Sequence, residues 1–107
     1  MRRIYHILPR GDWRPGAGPY RAPSLAGEGF IHCSNHDQVA CVANLFYADQ
    51  EDLLVLVIDA GRLTAPLRDE DAGTGERFPH VYGPIDREAV VEARELRRGP
   101  DGLWRFE

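Results

Sequence analysis

Ser34-Asn35-His36-Asp37-Gln38-Val39-Ala40-Cys41-Val42-Ala43-Asn44-Leu45-Phe46-Tyr47-Ala48, followed after a short polar break by Leu53-Leu54-Val55-Leu56-Val57-Ile58-Asp59, decides the fold. In the first segment Val39, Val42, Ala43 and Phe46 recur at i, i+3, i+4 and i+7, one buried stripe of a helix from about Asn35 to Ala48. Ser34 with Asp37 three residues later resembles a capping box and starts the helix there. The second segment is a continuous apolar run rich in β-branched residues. It reads as a central strand buried on both faces, ended by Gly61. A helix beside such a strand is the nucleus of a layered domain.

Working outward, Arg3 to Leu8 reads as a first strand closed by Pro9, and Phe30 to Cys33 as a short second one. The connection from Arg10 to Pro23 carries Gly11, Pro15, Gly16, Gly18, Pro19 and Pro23. It is irregular, with one helical turn near Trp13, and loops of this length in small domains are functional or mobile. Ser24 to Ala26 forms a further helical turn ending at Gly27. Beyond the central strand come a short strand over Leu67 to Glu70, a polar loop with Gly73 and Gly75, and a strand edge at Phe78 to Tyr82 despite Pro79. Ile85 to Leu96 follows, and Asp101-Gly102 turns the chain into Leu103 to Phe106. Strands outnumber helices. The expected fold is α+β: a small, mainly antiparallel β-sheet with one main helix, in a single domain over residues 1–107.

Composition excludes several functions. The 107 residues carry 17 acidic and 13 basic side chains, all of the latter arginine, for a net charge of -4. The absence of lysine removes Schiff-base chemistry and any phosphate-loop lysine. An acidic chain with scattered arginines has no footprint for duplex nucleic acid, although a few arginines suffice to grip a small nucleotide. No apolar run reaches the ~20 residues of a membrane span, and no secretory signal follows Met1, so the expected location is cytoplasmic. Cys33 and Cys41 are too few for a disulfide framework, form no CxxC pair and read as small hydrophobes.

His6, His32 and His80 lie in apolar, strand-like segments, and His36 at the start of the helix. Strand alternation gives Phe30, His32 and Ser34 one face, and His80 and Tyr82 another shared face. A concave sheet would gather His6, His32, Ser34, His80 and Tyr82 into one cleft. Each has a plainer role available: strand histidines are commonly hydrogen-bonded core residues, and Ser34 serves as a helix cap. A three-histidine zinc site is the other use of the set, but the spacings match no local metal motif, and no metal is expected.

Ile4-Tyr5-His6-Ile7, Gly29-Phe30-Ile31-His32-Cys33-Ser34, Gln38-Val39 with Ala43-Asn44, and Phe78-Pro79-His80-Val81-Tyr82-Gly83-Pro84 together resemble the bacterial domain of unknown function 952 family, over nearly the whole chain. The resemblance implies an ADP-ribosyltransferase-like fold, a small split β-sheet around an NAD-binding cleft. By that resemblance His6 matches the first-strand residue that holds the NAD ribose. His32 with Ser34 falls at the second-strand position, as in the branch that includes RNA 2′-phosphotransferases. The last motif departs from the pattern: it offers His80 and Tyr82 where a late acid is expected, and Glu70 upstream is only a weak substitute.

The expected function is an NAD- or nucleotide-dependent transferase or glycohydrolase, with NAD as possible substrate and a small-molecule or nucleotide ligand as the partner. Catalysis would fall to His6, His32, His80 and Tyr82. His6, Ser34, Phe30, Tyr82 and Arg10 would bind the ligand: His6 on the ribose hydroxyls, Tyr82 or Phe30 stacked on the nicotinamide, and Arg3, Arg10 or Arg21 on the pyrophosphate. Two other classes fit the same residues. One is a binding module whose active site has degenerated; the other is a small-metabolite enzyme using His32 and His80 as acid and base.

Overall fold

The computed structural model describes residues 1–14, 16, 18–71 and 73–107; Pro15, assigned above to the long connection, lies outside the described residues. The elements run β1 (Arg3–Pro9), α1 (Pro23–Glu28), β2 (Ile31–His32), α2 (Val39–Phe46), β3 (Leu53–Asp59), β4 (Leu67–Asp71), β5 (Arg77–Val81), β6 (Val90–Glu95), β7 (Arg97–Arg98) and β8 (Trp104–Arg105). Single 3-10 turns lie at Arg10–Asp12, His36–Gln38, Ala60–Arg62 and Arg87–Ala89. No helix among the described residues is long and apolar enough to cross a membrane.

β3 is the middle strand of an antiparallel sheet ordered β1-β3-β6, and all seven of its residues are buried. The strand period of two divides them between two cores. Leu54, Leu56 and Ile58 join Ile4, Leu8, Ile31, Val81 and Ile85 on one face. Leu53, Val55 and Val57 meet Tyr5, Ile7, Val39, Ala43 and Trp104 on the other. The second core is closed by α2 and by the β7-β8 hairpin, whose turn uses Gly102 at φ 82°. Asn44 fastens the two: its side chain accepts from the Trp104 amide and donates to the Trp104 carbonyl.

The second sheet is ordered β2-β5-β4, again antiparallel. The fold is therefore α+β with antiparallel sheets and one main helix. β5 occupies the middle of its sheet, not an edge. Pro79 is tolerated there because of its register. The Cys33 amide donates to the Pro79 carbonyl at 3.0 Å, so the missing Pro79 donor faces β2 where that strand is already leaving the ladder.

Three local expectations are corrected. The capping box belongs to Asn35 and Gln38, not to Ser34 and Asp37, since the Gln38 side chain accepts from the Asn35 amide. Ser34 instead pairs by backbone with Tyr5. The α-helix ends at Phe46, and its stripe is narrower than the periodicity suggests: Val39 and Ala43 are fully buried, while Phe46 is 74% exposed. Cys41 is exposed on this helix, whereas Cys33 is buried. Finally, α1 runs through Gly27 to Glu28, because Gly29 is the residue that takes the left-handed φ of 89° and stops it.

Candidate functional site

Besides their shared core, the two sheets are linked among the described residues by an antiparallel backbone bridge, Tyr5 with Ser34, whose amides and carbonyls exchange hydrogen bonds of 2.9 and 2.7 Å. Continued by one more pair, that ladder would set Ile7 opposite His32. It does not continue. The His32 carbonyl accepts instead from the His6 side chain, Nδ1 at 2.7 Å. Strand alternation turns the Ile7 amide and carbonyl and the His32 amide toward the gap. The sheets thus part at a seam held by His6.

Two chambers open along this seam. The first, about 340 Å³, is largely apolar and lined by Ile7, Cys33, Val42, Phe46, Tyr47 and Phe78 together with His32, Ser34 and His80. The second, about 240 Å³, is lined by His6, Tyr20, Asp12 and Ser24 among others. Ile7, His32 and Tyr47 border both chambers.

His6 is buried in the second chamber's wall, and burial lowers its pKa to about 4. It is neutral at neutral pH, and geometry sets its tautomer. Because the His32 carbonyl only accepts, Nδ1 carries the proton, and Nε2 accepts from the Tyr20 hydroxyl at 3.0 Å. Both ring nitrogens are committed. Tyr20, buried beside Asp12, has its pKa raised chiefly by desolvation.

His32 and His80 face one another across the β2-β5 ladder, in direct register and with ring centroids 5.3 Å apart. Each is oriented by a carboxylate. Glu28 accepts from His32 Nε2 at 2.6 Å, and Glu70 accepts from His80 Nδ1 at 2.9 Å. The same Glu70 oxygen accepts from the Tyr82 hydroxyl, and these two bonds hold its carboxyl below the usual range. The Tyr82 hydroxyl is raised correspondingly, and Arg68 lies 4.9 Å over the Tyr82 ring.

Of the residues expected to form one cleft, His32, Ser34 and His80 share the first chamber, while His6 lines the second, meeting the others through His32. Phe30 does not line either chamber; it stacks on His80 at 4.1 Å, filling the face that a ligand ring would need. Tyr82 is turned to Glu70 and Arg68. Arg10 lies outside both chambers, paired with Asp52 at 2.8 Å and Glu95 at 2.8 Å.

Sequence reasoning underrated Glu70 and missed Glu28, Tyr20 and Tyr47. Glu70 lies on β4 opposite Phe78, and it is the β4-β5 register, with Arg68 opposite His80, that brings its carboxylate to His80 and Tyr82. Glu28 stands four residues before His32, but helical spacing does not predict the pair, since Gly29 breaks the helix between them. Among the described residues no group of three or more His, Cys, Asp or Glu side chains is gathered to hold a metal ion.

Protein CC0527 from Caulobacter crescentus is similar throughout. Its crystal structure superposes with a TM-score of 0.83 at 30% identity, covering 97% of this chain and 94% of that one. Its solution structure gives a TM-score of 0.75 at 29% identity, covering 94% and 90%. No curated protein matches the chain. The family model described as protein of unknown function (DUF952) matches residues 7–93, and with that span aligned the chain belongs to this family.

Proposed function

We propose that this protein breaks or transfers the N-glycosidic bond of NAD or a related nucleotide, on an ADP-ribosyltransferase-like fold, as a transferase or glycohydrolase. The observation that carries the reading is the pair of unlike chambers meeting at Ile7, His32 and Tyr47. A flat heteroaromatic ring fits the first chamber and a sugar fits the second beside Tyr20 and Asp12, so the bond joining them crosses beside His32.

Cleavage sends the electron pair of the C1′–N bond to the departing ring, and the ribose becomes oxocarbenium-like. The Glu28 and Glu70 carboxylates favour that positive charge. Glu28 fixes His32 with Nε2–H outward, leaving Nδ1 to take the proton of the attacking water or acceptor hydroxyl as its oxygen bonds to C1′. His80, oriented by Glu70, leaves Nε2 free toward the apolar chamber, where it can bond a carboxamide-like group on the ring.

The test is nicotinamide release from NAD, nicotinamide mononucleotide and nicotinamide riboside, followed by chromatography. His32→Ala is expected to lower turnover by about 100-fold, the usual contribution of a general base. Glu70→Gln is expected to lower it less, by loosening His80. Absence of release from all three at millimolar concentration overturns the reading. A second reading is favoured by the two carboxylate-oriented histidines at 5.3 Å: acid–base catalysis on a small metabolite. It predicts a bell-shaped pH profile lost in both His32→Ala and His80→Ala, with no release of nicotinamide.

A further inference from the structure

Ile7, His32 and Tyr47 border both chambers, yet their hydrogen-bonding groups are not equally committed. Ile7 offers backbone groups but no polar side chain. His32 has Nε2 held by Glu28, which leaves Nδ1 for the incoming proton. The Tyr47 hydroxyl has no hydrogen-bond partner among the described residues and is not sealed from solvent. Its position is nonetheless fixed from behind, at the end of α2. The Tyr47 amide donates to the Ala43 carbonyl at 2.8 Å, and the Tyr47 carbonyl accepts from the Gln50 amide at 3.0 Å and from Trp104 Nε1 at 2.9 Å. The ring packs against the second core and is half-buried. Burial raises the Tyr47 pKa, so the phenol keeps its proton and can both give and accept. An open hydroxyl on a pinned backbone is a preorganised contact for a ligand.

In the proposed reaction the breaking C1′–N bond lies at this border, so Tyr47 meets the sugar atoms next to C1′. Asp12 and Tyr20 line the second chamber alone and meet atoms farther along the sugar. Next to C1′ the sugar carries its ring oxygen and, on C2′, the 2′-hydroxyl. As positive charge grows, the ring oxygen loses strength as an acceptor, whereas the 2′-hydroxyl becomes a stronger donor. We infer that Tyr47 is a further catalytic residue whose oxygen accepts a hydrogen bond from the 2′-hydroxyl, so that the protein is built for ribosyl substrates rather than 2′-deoxyribosyl ones. The inference rests on the reading above and names the sugar within it. The bond strengthens as the electron pair leaves with the ring and returns electron density toward C1′. It therefore acts on turnover more than on binding.

Nicotinamide release from nicotinamide mononucleotide and from its 2′-deoxy and 3′-deoxy analogues tests it, in the wild type and in Tyr47→Phe. The variant keeps the ring that packs the second core, and its urea midpoint is expected to match the wild type. Removing an electron-withdrawing 2′-hydroxyl eases the cleavage even in water, so the quantity compared is the effect of Tyr47→Phe on each substrate. On the parent and the 3′-deoxy analogue the variant is expected to lower kcat about tenfold, with KM within about twofold. On the 2′-deoxy analogue it is expected to change kcat by less than about twofold. An equal loss on all three substrates overturns the inference, because Tyr47 then acts through packing or on the ring. No loss on the parent, a loss in KM alone, or a loss that vanishes only with the 3′-deoxy analogue overturns it too, and each leaves N-glycosidic chemistry standing. Wild-type protein that releases no nicotinamide from NAD or from the parent overturns both.

Discussion

β3 and β5 each run through the middle of a three-stranded antiparallel sheet, yet they are made of different material. β3 is Leu-Leu-Val-Leu-Val-Ile-Asp, buried throughout and packed against apolar side chains on both faces. β5 carries Pro79 and His80 at buried positions, and His80 is kept there by Glu70 on one neighbour strand and by stacking on Phe30. A polar side chain at a central position costs free energy unless its hydrogen bonds are met. Where a chain retains such a residue with dedicated partners, local rules have yielded to something else, and in this fold that happens beside the two chambers. The first sheet's central strand is packed core throughout; the second sheet's carries a histidine held by a carboxylate.

The comparison breaks if β3 tolerates truncation. Leu56 is fully buried, and Leu56→Ala is expected to cost about 3 kcal/mol in a urea titration, from lost burial and the cavity left behind. A cost below about 1 kcal/mol would mean that β3 is no better packed than the site strands.

The seam gives the next largest effect. His6 stays neutral in the folded protein down to about pH 4, whereas in the unfolded chain it protonates near its ordinary 6.5. Between those values the unfolded state binds the extra proton, so stability falls as pH drops from 6.5 to 4 and levels off below. The loss over that window is on the order of 3 kcal/mol. Urea midpoints taken from pH 7 to pH 4 measure it. His6→Gln, which keeps one donor and one acceptor but does not titrate, is expected to flatten the slope in that range. An unchanged slope would show that His6 is not the buried group responsible.

The smallest effect sharpens the limits of helix periodicity. Val39→Ala should cost about 2 kcal/mol, while Phe46→Ala should fall within about 0.5 kcal/mol, although both belong to one sequence stripe. Equal costs would return Phe46 to the core.

The order of elements, the central strand and the terminal hairpin follow from the sequence, because a two-residue or 3.6-residue period and a turn dipeptide are local signals. The histidines His6, His32 and His80 stand out for the same reason: polar residues in apolar runs need an explanation wherever they occur. Local signals could not show that Phe46 faces outward, since how much of a helix stripe is covered depends on what packs against it. Nor could they pair Glu28 with His32 across a helix break, or join Glu70 to both His80 and Tyr82. Those contacts arise from strand register, which is set by long-range packing. The division of His6 from His80 between two chambers also belongs to tertiary structure alone. It depends on where two sheets stop sharing hydrogen bonds, and a single side chain, His6 donating to the His32 carbonyl, marks that point.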